Sequence, residues 1–134
     1  MADYVGIIDE SGGTWGVRIP DLPGCYGAGG SAEDAIRDAA SAAREWIEHQ
    51  TGGARTLPKV RTTADILAAG DIDTAAGEAA VIIPVLIDDG RTVRANLTFD
   101  AGLLRAIDAA ASQRGLTRSA FLASAAREKI EARR

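Results

Sequence analysis

Residues 93–100 read Val93-Arg94-Ala95-Asn96-Leu97-Thr98-Phe99-Asp100, and the fold of the C-terminal part of the chain turns on them. Val93, Ala95, Leu97 and Phe99 fall on one side of an extended chain, and Arg94, Asn96 and Thr98 on the other, which is the period of a strand. Asp100 is placed to cap a helix in which Leu103, Leu104, Ile107, Ala110 and Ala111 share a face. Gly115 stands where a helix end needs a left-handed residue, and Thr117 can cap a second helix with the stripe Phe121, Leu122, Ala125, Ala126 and Ile130. One strand and two short helices, about 40 residues in all, bury too little surface to fold alone. A lone strand also leaves its backbone N–H and C=O groups unpaired. Both problems vanish if two chains pair their strands antiparallel and interlock their helices. The interface so formed is expected to be obligate, apolar and above about 2,000 Å².

Charge divides the chain at the same place. Residues 1–90 hold six Lys and Arg against fifteen Asp and Glu, a balance of −9; residues 91–134 hold nine against four, a balance of +5. The whole-chain pI of about 4.9 averages two opposite halves. A basic module suits nucleic acid and an acidic one suits a basic protein. Asp88-Asp89-Gly90 marks the boundary, giving domains 1–89 and 90–134.

Upstream, Tyr4-Val5-Gly6-Ile7-Ile8 reads as a short strand, Glu10-Ser11-Gly12-Gly13 as a turn, and Thr14–Ile19 as a second strand whose Trp15, Val17 and Ile19 point one way. Pro20-Asp21-Leu22-Pro23-Gly24 ends that hairpin, and Cys25-Tyr26-Gly27 can form a short third strand. A helix begins near Ser31, its cap, with Asp34 at the capping-box position; Ile36, Ala39, Ala40, Ala43 and Ile47 give it a buried face. Thr51-Gly52-Gly53 stops it, residues 54–62 read as loop, and a weak helix spans Ala64 to Ala69. The apolar run Ala79 to Ile87 predicts a strand covered on both faces, with Pro84 requiring an edge position or a bulge.

The order strand, helix, glycine, capped helix, carried by Val93 through Ile130, resembles the ribbon-helix-helix repressors. That resemblance implies that Arg94, Asn96 and Thr98 read base edges in the major groove of DNA. Arg suits guanine, Asn suits adenine, and Thr can reach either or touch a thymine methyl. It also implies a phosphate contact at the start of the second helix, at Thr117, Arg118 and Ser119, where free N–H groups and the helix field favour an anion. As residue types alone, the first three also fit the wet face of a strand, and Thr117 an ordinary cap.

The front half is similar to the HicB antitoxins through Tyr4-Val5-Gly6-Ile7-Ile8, Gly13-Thr14-Trp15-Gly16-Val17, Pro20-Asp21-Leu22-Pro23-Gly24-Cys25 and Gly30-Ser31-Ala32-Glu33-Asp34-Ala35. The likeness implies an α+β protein: a partial RNase H-like domain of antiparallel strands and helices, followed by a ribbon-helix-helix dimerisation domain. It further implies binding to a HicA-like, mRNA-cleaving toxin and repression of the chain's own operon through operator DNA. The alternative is a stand-alone regulator whose front domain holds another protein or a small ligand.

Catalysis, cofactors and metals are not expected. RNase H chemistry needs carboxylates converging on two metals about 3.5–4 Å apart; Asp9, Glu48 and Asp88 are the acids to consider, and a solvated or toxin-facing patch explains them more simply. His49 is the single histidine, read as a surface or cap residue at the end of its helix. Cys25, the single cysteine, reads as a small buried hydrophobe and cannot form an internal disulfide. Gly27-Ala28-Gly29-Gly30 lacks the Lys and Ser/Thr of a phosphate loop and reads as a plain turn, with Trp15 and Trp46 assigned to the core. At 134 residues, 46% hydrophobic and 25% charged, without an apolar run of membrane length or a secretory leader, the sequence predicts a soluble cytoplasmic protein.

Overall fold

The computed structural model describes residues 1–51, 57–88 and 90–132, and its contacts divide the chain into two units, Met1–Gly90 and Arg91–Arg134. In the first unit strands β1 (Ala2–Ser11), β2 (Thr14–Arg18), β3 (Tyr26–Gly29) and β4 (Ala79–Val85) form one sheet in the order β3-β2-β1-β4. Every neighbouring pair is antiparallel. Helix α1 (Ala32–Thr51) lies between β3 and β4 in sequence, followed by the short helix α2 (Thr63–Ala68) and a 3-10 turn at Thr74–Ala76.

β1 is twice the length its apolar run suggests, because it has a partner on each side. Ile7–Ser11 pair with β2, and Ala2–Ile8 with β4. Gly12 and Gly13 close the β1–β2 hairpin with φ of 59° and 84°. Two consecutive left-handed residues give a mirror-image turn that matches the strand twist.

Alternation assigns β1 to two small cores. Tyr4 and Ile8 pack with Val17, Ile19, Ile83 and Val85 against Ala35, Ala39, Ala40, Ala43 and Ile47 of α1. Val5 and Ile7 point the other way, against Ile66 of α2 and the half-buried Ile72. Ser31 Oγ accepts from Asp34 N–H and caps α1 as expected, while the Asp34 carboxylate pairs with Arg37. Ile36, Trp15 and Trp46 are half-buried at the rim of the core and not inside it. Trp46 carries an indole N–H that must be satisfied; it donates to Pro23 O at 2.9 Å.

Gly27-Ala28-Gly29 is no turn: it belongs to β3, where α1 rests on the strand backbone. A Cβ at Gly27 would collide with the backbone of Ala39 and Ala35, and one at Gly29 would come within 2.6 Å of Asp34 Cβ. The glycines serve helix–strand contact. β4 also departs from expectation. It is an edge strand, which tolerates Pro84, and it is covered on both faces only at its C-terminal end: Ile83, Pro84 and Val85 are buried while Ile82 is 45% exposed.

The Pro20–Cys25 stretch is a fastened loop. Ile19 N–H donates to Cys25 O, Leu22 N–H to Ile19 O and Cys25 N–H to Leu22 O, with Leu22 fully buried. Asp21 accepts from the backbone N–H and the Nε of Arg61, 40 residues on. Arg61 also reaches Asp71, and Arg18 bridges to Glu78 and to Asp71 O. The Arg18 guanidinium and the Asp73 N–H hold the Glu78 carboxyl down at about 2. The stretch read as loop before α2 thus ends in an ordered capping box, with Thr62 and Asp65 exchanging bonds. Residues 52–56 and 89 lie outside the described residues, and with them Gly52, Gly53, the start of the 54–62 loop and part of the Asp88-Asp89-Gly90 boundary.

In the second unit, helices α3 (Ala101–Gln113) and α4 (Arg118–Ala132) follow the predicted punctuation. Asp100 accepts from Gly102 and Leu103 N–H. At the far end of α3, Gly115 takes φ 66°, with Leu116 N–H on Ala111 O and Gly115 N–H on Ser112 O. These are the two bonds of a Schellman cap. Thr117 Oγ accepts from Ala120 N–H at the start of α4, and Arg114 lies over the Phe121 ring at 5.7 Å.

Candidate nucleic-acid interface

Residues 92–100 make no ladder within the single chain. A strand needs hydrogen bonds from a neighbour, and among the described residues of the second unit no strand supplies them. Arg94, Asn96 and Thr98 are exposed, but so is the apolar side of the same segment, with Val93 80% and Leu97 66% accessible. Leu103 and Ile130 are also exposed, whereas Ile107 and Ala111 are buried. An α3–α4 pair covers only part of its own apolar stripe. Isolated exposed apolar residues are ordinary, but several on one small unit mark an interaction surface.

The three residues assigned to phosphate sit at the start of α4, all exposed. Thr117 is engaged as the N-cap. Arg118 is held by Asp108 of α3 through two bonds of 2.8 Å, Nε to Oδ1 and Nη2 to Oδ2. The side chains are 53% and 47% accessible, so solvent screens the pair. The Arg118 guanidinium holds the Asp108 carboxyl below its usual range. Sequence reasoning missed Asp108: ten positions from Arg118, it is an acid on a helix surface like many others, and only the crossing of α3 and α4 joins them.

Among the described residues no group of three or more His, Cys, Asp or Glu could hold a metal ion. Asp9 stands in β1 opposite Gly16, and Glu48 and His49 are exposed near the end of α1. Cys25 is buried, as its reading as a small hydrophobe requires, and burial raises its thiol to about 11. At neutral pH it is a thiol and a poor nucleophile. Among the described residues, no helix is long and apolar enough to cross a membrane.

A sheet with this strand order and one long helix on its face, followed in the chain by a basic two-helix unit, match known proteins. The family described as "HicB_like antitoxin of bacterial toxin-antitoxin system" matches residues 4–126. The chain belongs to this family. Among solved structures, antitoxin HicB3 is 30% identical over 96% of this chain and 98% of its own, with a TM-score of 0.55. The Burkholderia pseudomallei antitoxin HicB is 28% identical over 97% of both chains, with a TM-score of 0.52. The HicA3 and HicB3 toxin-antitoxin complex contains a chain 22% identical, covering 65% of this one and 99% of its own at a TM-score of 0.51, a likeness of fold. No curated protein matches the chain. The HicB-like antitoxins are thus matched across both units, and the α+β fold is theirs.

Proposed function

We propose that this HicB-like antitoxin neutralises a HicA-like toxin by direct binding through its front unit and represses its own operon through the C-terminal unit. The observation that carries the reading is the division of charge across a fold shared with the HicB antitoxins: −9 in residues 1–90 and +5 in residues 91–134. An RNA-cleaving toxin must present a basic surface to RNA, and an acidic partner complements it and speeds encounter. The solved HicA3 and HicB3 complex contains a chain that shares this fold over 65% of the present chain, and this supports the same partnership here.

The C-terminal unit is read as a ribbon-helix-helix half. Two copies pair residues 93–99 antiparallel, covering Val93, Leu97, Leu103 and Ile130, and turn Arg94, Asn96 and Thr98 outward to base edges. Thr117, Arg118 and Ser119 approach the DNA backbone, fixing register without reading sequence. Both activities belong in the cytoplasm, where transcripts and operator are found. The front unit's partial RNase H likeness serves here as a binding scaffold, without catalysis or cofactor.

Co-expression tests the reading. A small basic protein encoded beside this chain should arrest growth alone, and residues 1–90 should restore it. Growth arrest that the full chain does not relieve, or a neighbour without toxicity, would instead support the stand-alone regulator.

A further inference from the structure

The pair Asp108–Arg118 is built for exchange. Arg118 is the first residue of α4, and two arms of its guanidinium lie on the two oxygens of Asp108 at 2.8 Å each. That fork-on-fork geometry is also how a guanidinium takes a phosphate. The start of α4 is where the helix field favours an anion, and in the free chain the Asp108 carboxylate lies on its first side chain. Both groups are about half accessible, so the pair is held weakly enough to open.

We propose that Asp108 competes with the DNA backbone for Arg118, occupying in the free protein the guanidinium that a phosphate takes in the complex, and thereby limits affinity for DNA. The inference rests on the DNA-binding reading above. Asp108 then acts through Arg118, keeping both arms of its fork engaged in the free protein and lowering the gain when a phosphate arrives. In the complex it stands beside a phosphate as a like charge, which also opposes binding.

The test is fluorescence anisotropy of the full chain and of Asp108→Asn on two labelled duplexes. One carries the DNA immediately upstream of the chain's own coding sequence, the other its scrambled sequence. Releasing an exposed pair is worth a factor of about 1.4–5, and a dimer has two, so Asp108→Asn should bind roughly 2- to 30-fold more tightly. The factor should be similar on both duplexes, because a phosphate contact carries no sequence information. The gain should shrink as salt rises, because salt screens the exposed Asp108–Arg118 pair whose removal produces it. A merely structural pair gives the opposite sign: Asp108→Asn would loosen α3–α4 and bind less well. In an Arg118→Ala background the gain should disappear. Equal or weaker binding by Asp108→Asn, or a gain that survives Arg118→Ala, overturns the competition while leaving DNA binding intact. A wild-type chain without affinity for either duplex overturns both.

Discussion

Gly27→Ala tests whether the front unit is held together as described. The added Cβ would lie 2.6 Å from Ala39 Cα and 2.7 Å from Ala35 O, and closer still to Ala39 N. All three are backbone atoms, so no side chain can rotate away. Bringing even the 2.6 Å contact to an ordinary 3.4 Å requires α1 to retreat from β3 by about 0.8 Å, and clearing Ala39 N requires more. That retreat loosens Ala35, Ala39, Ala40 and Ala43, each at most 1% exposed. Overpacking costs about 1–3 kcal/mol and occasionally more; with rigid backbone on both sides the expectation is about 3 kcal/mol. For a unit of this size that lowers the melting temperature by roughly 12–24 °C. Trp15 and Trp46 both belong to the front unit, so their fluorescence during a thermal ramp reports this unit and not the C-terminal one. Gly30→Ala is the control. It meets nothing within 4 Å, and by restricting the unfolded chain it should gain about 0.4–1 kcal/mol. If Gly27→Ala melts with the wild type, α1 does not rest on β3 as described.

Arg94→Ala should cost about 1–3 kcal/mol at one operator base pair and leave toxin binding intact; unchanged operator affinity in a gel-shift titration would show that the ribbon face is misassigned. Leu97→Glu places an unpaired charge in the proposed dimer seam, a penalty of about 3–5 kcal/mol, so sedimentation should show monomers where the wild type shows dimers, and a persistent dimer refutes the seam. Glu78 titrates in the folded chain at about 2, below its ordinary 4.5. Its contribution is therefore full above about pH 4.5 and lost as pH falls toward 2, so the stability gap between wild type and Glu78→Gln should close over that window in urea titrations; a gap that widens with acid contradicts the pairing. Thr62→Ala removes one side of the α2 capping box and should destabilise by about 1 kcal/mol, measured by the same titrations; no change would mean that the capping box adds nothing to the stability of the front unit.

Local rules made much of the chain legible. Asp100, Gly115 and Thr117 announce the two C-terminal helices because caps depend on nearest neighbours, and Gly12-Gly13 announces the hairpin because few other residues accept its φ values. Alternation gives residues 93–99 two chemically different sides, and charge counting sets the acidic residues 1–90 apart from the basic residues 91–134. What sequence could not show is who stands opposite. Gly27 and Gly29 look like a turn until α1 is laid on them. Ile82 looks as buried as Ile83 until β4 is found at the sheet edge. Trp46 looks like core until its indole finds Pro23 O. Asp108 and Arg118 look unrelated until two helices cross. Each of these depends on contacts between segments distant along the chain, and periodicity and capping carry information only over a few residues.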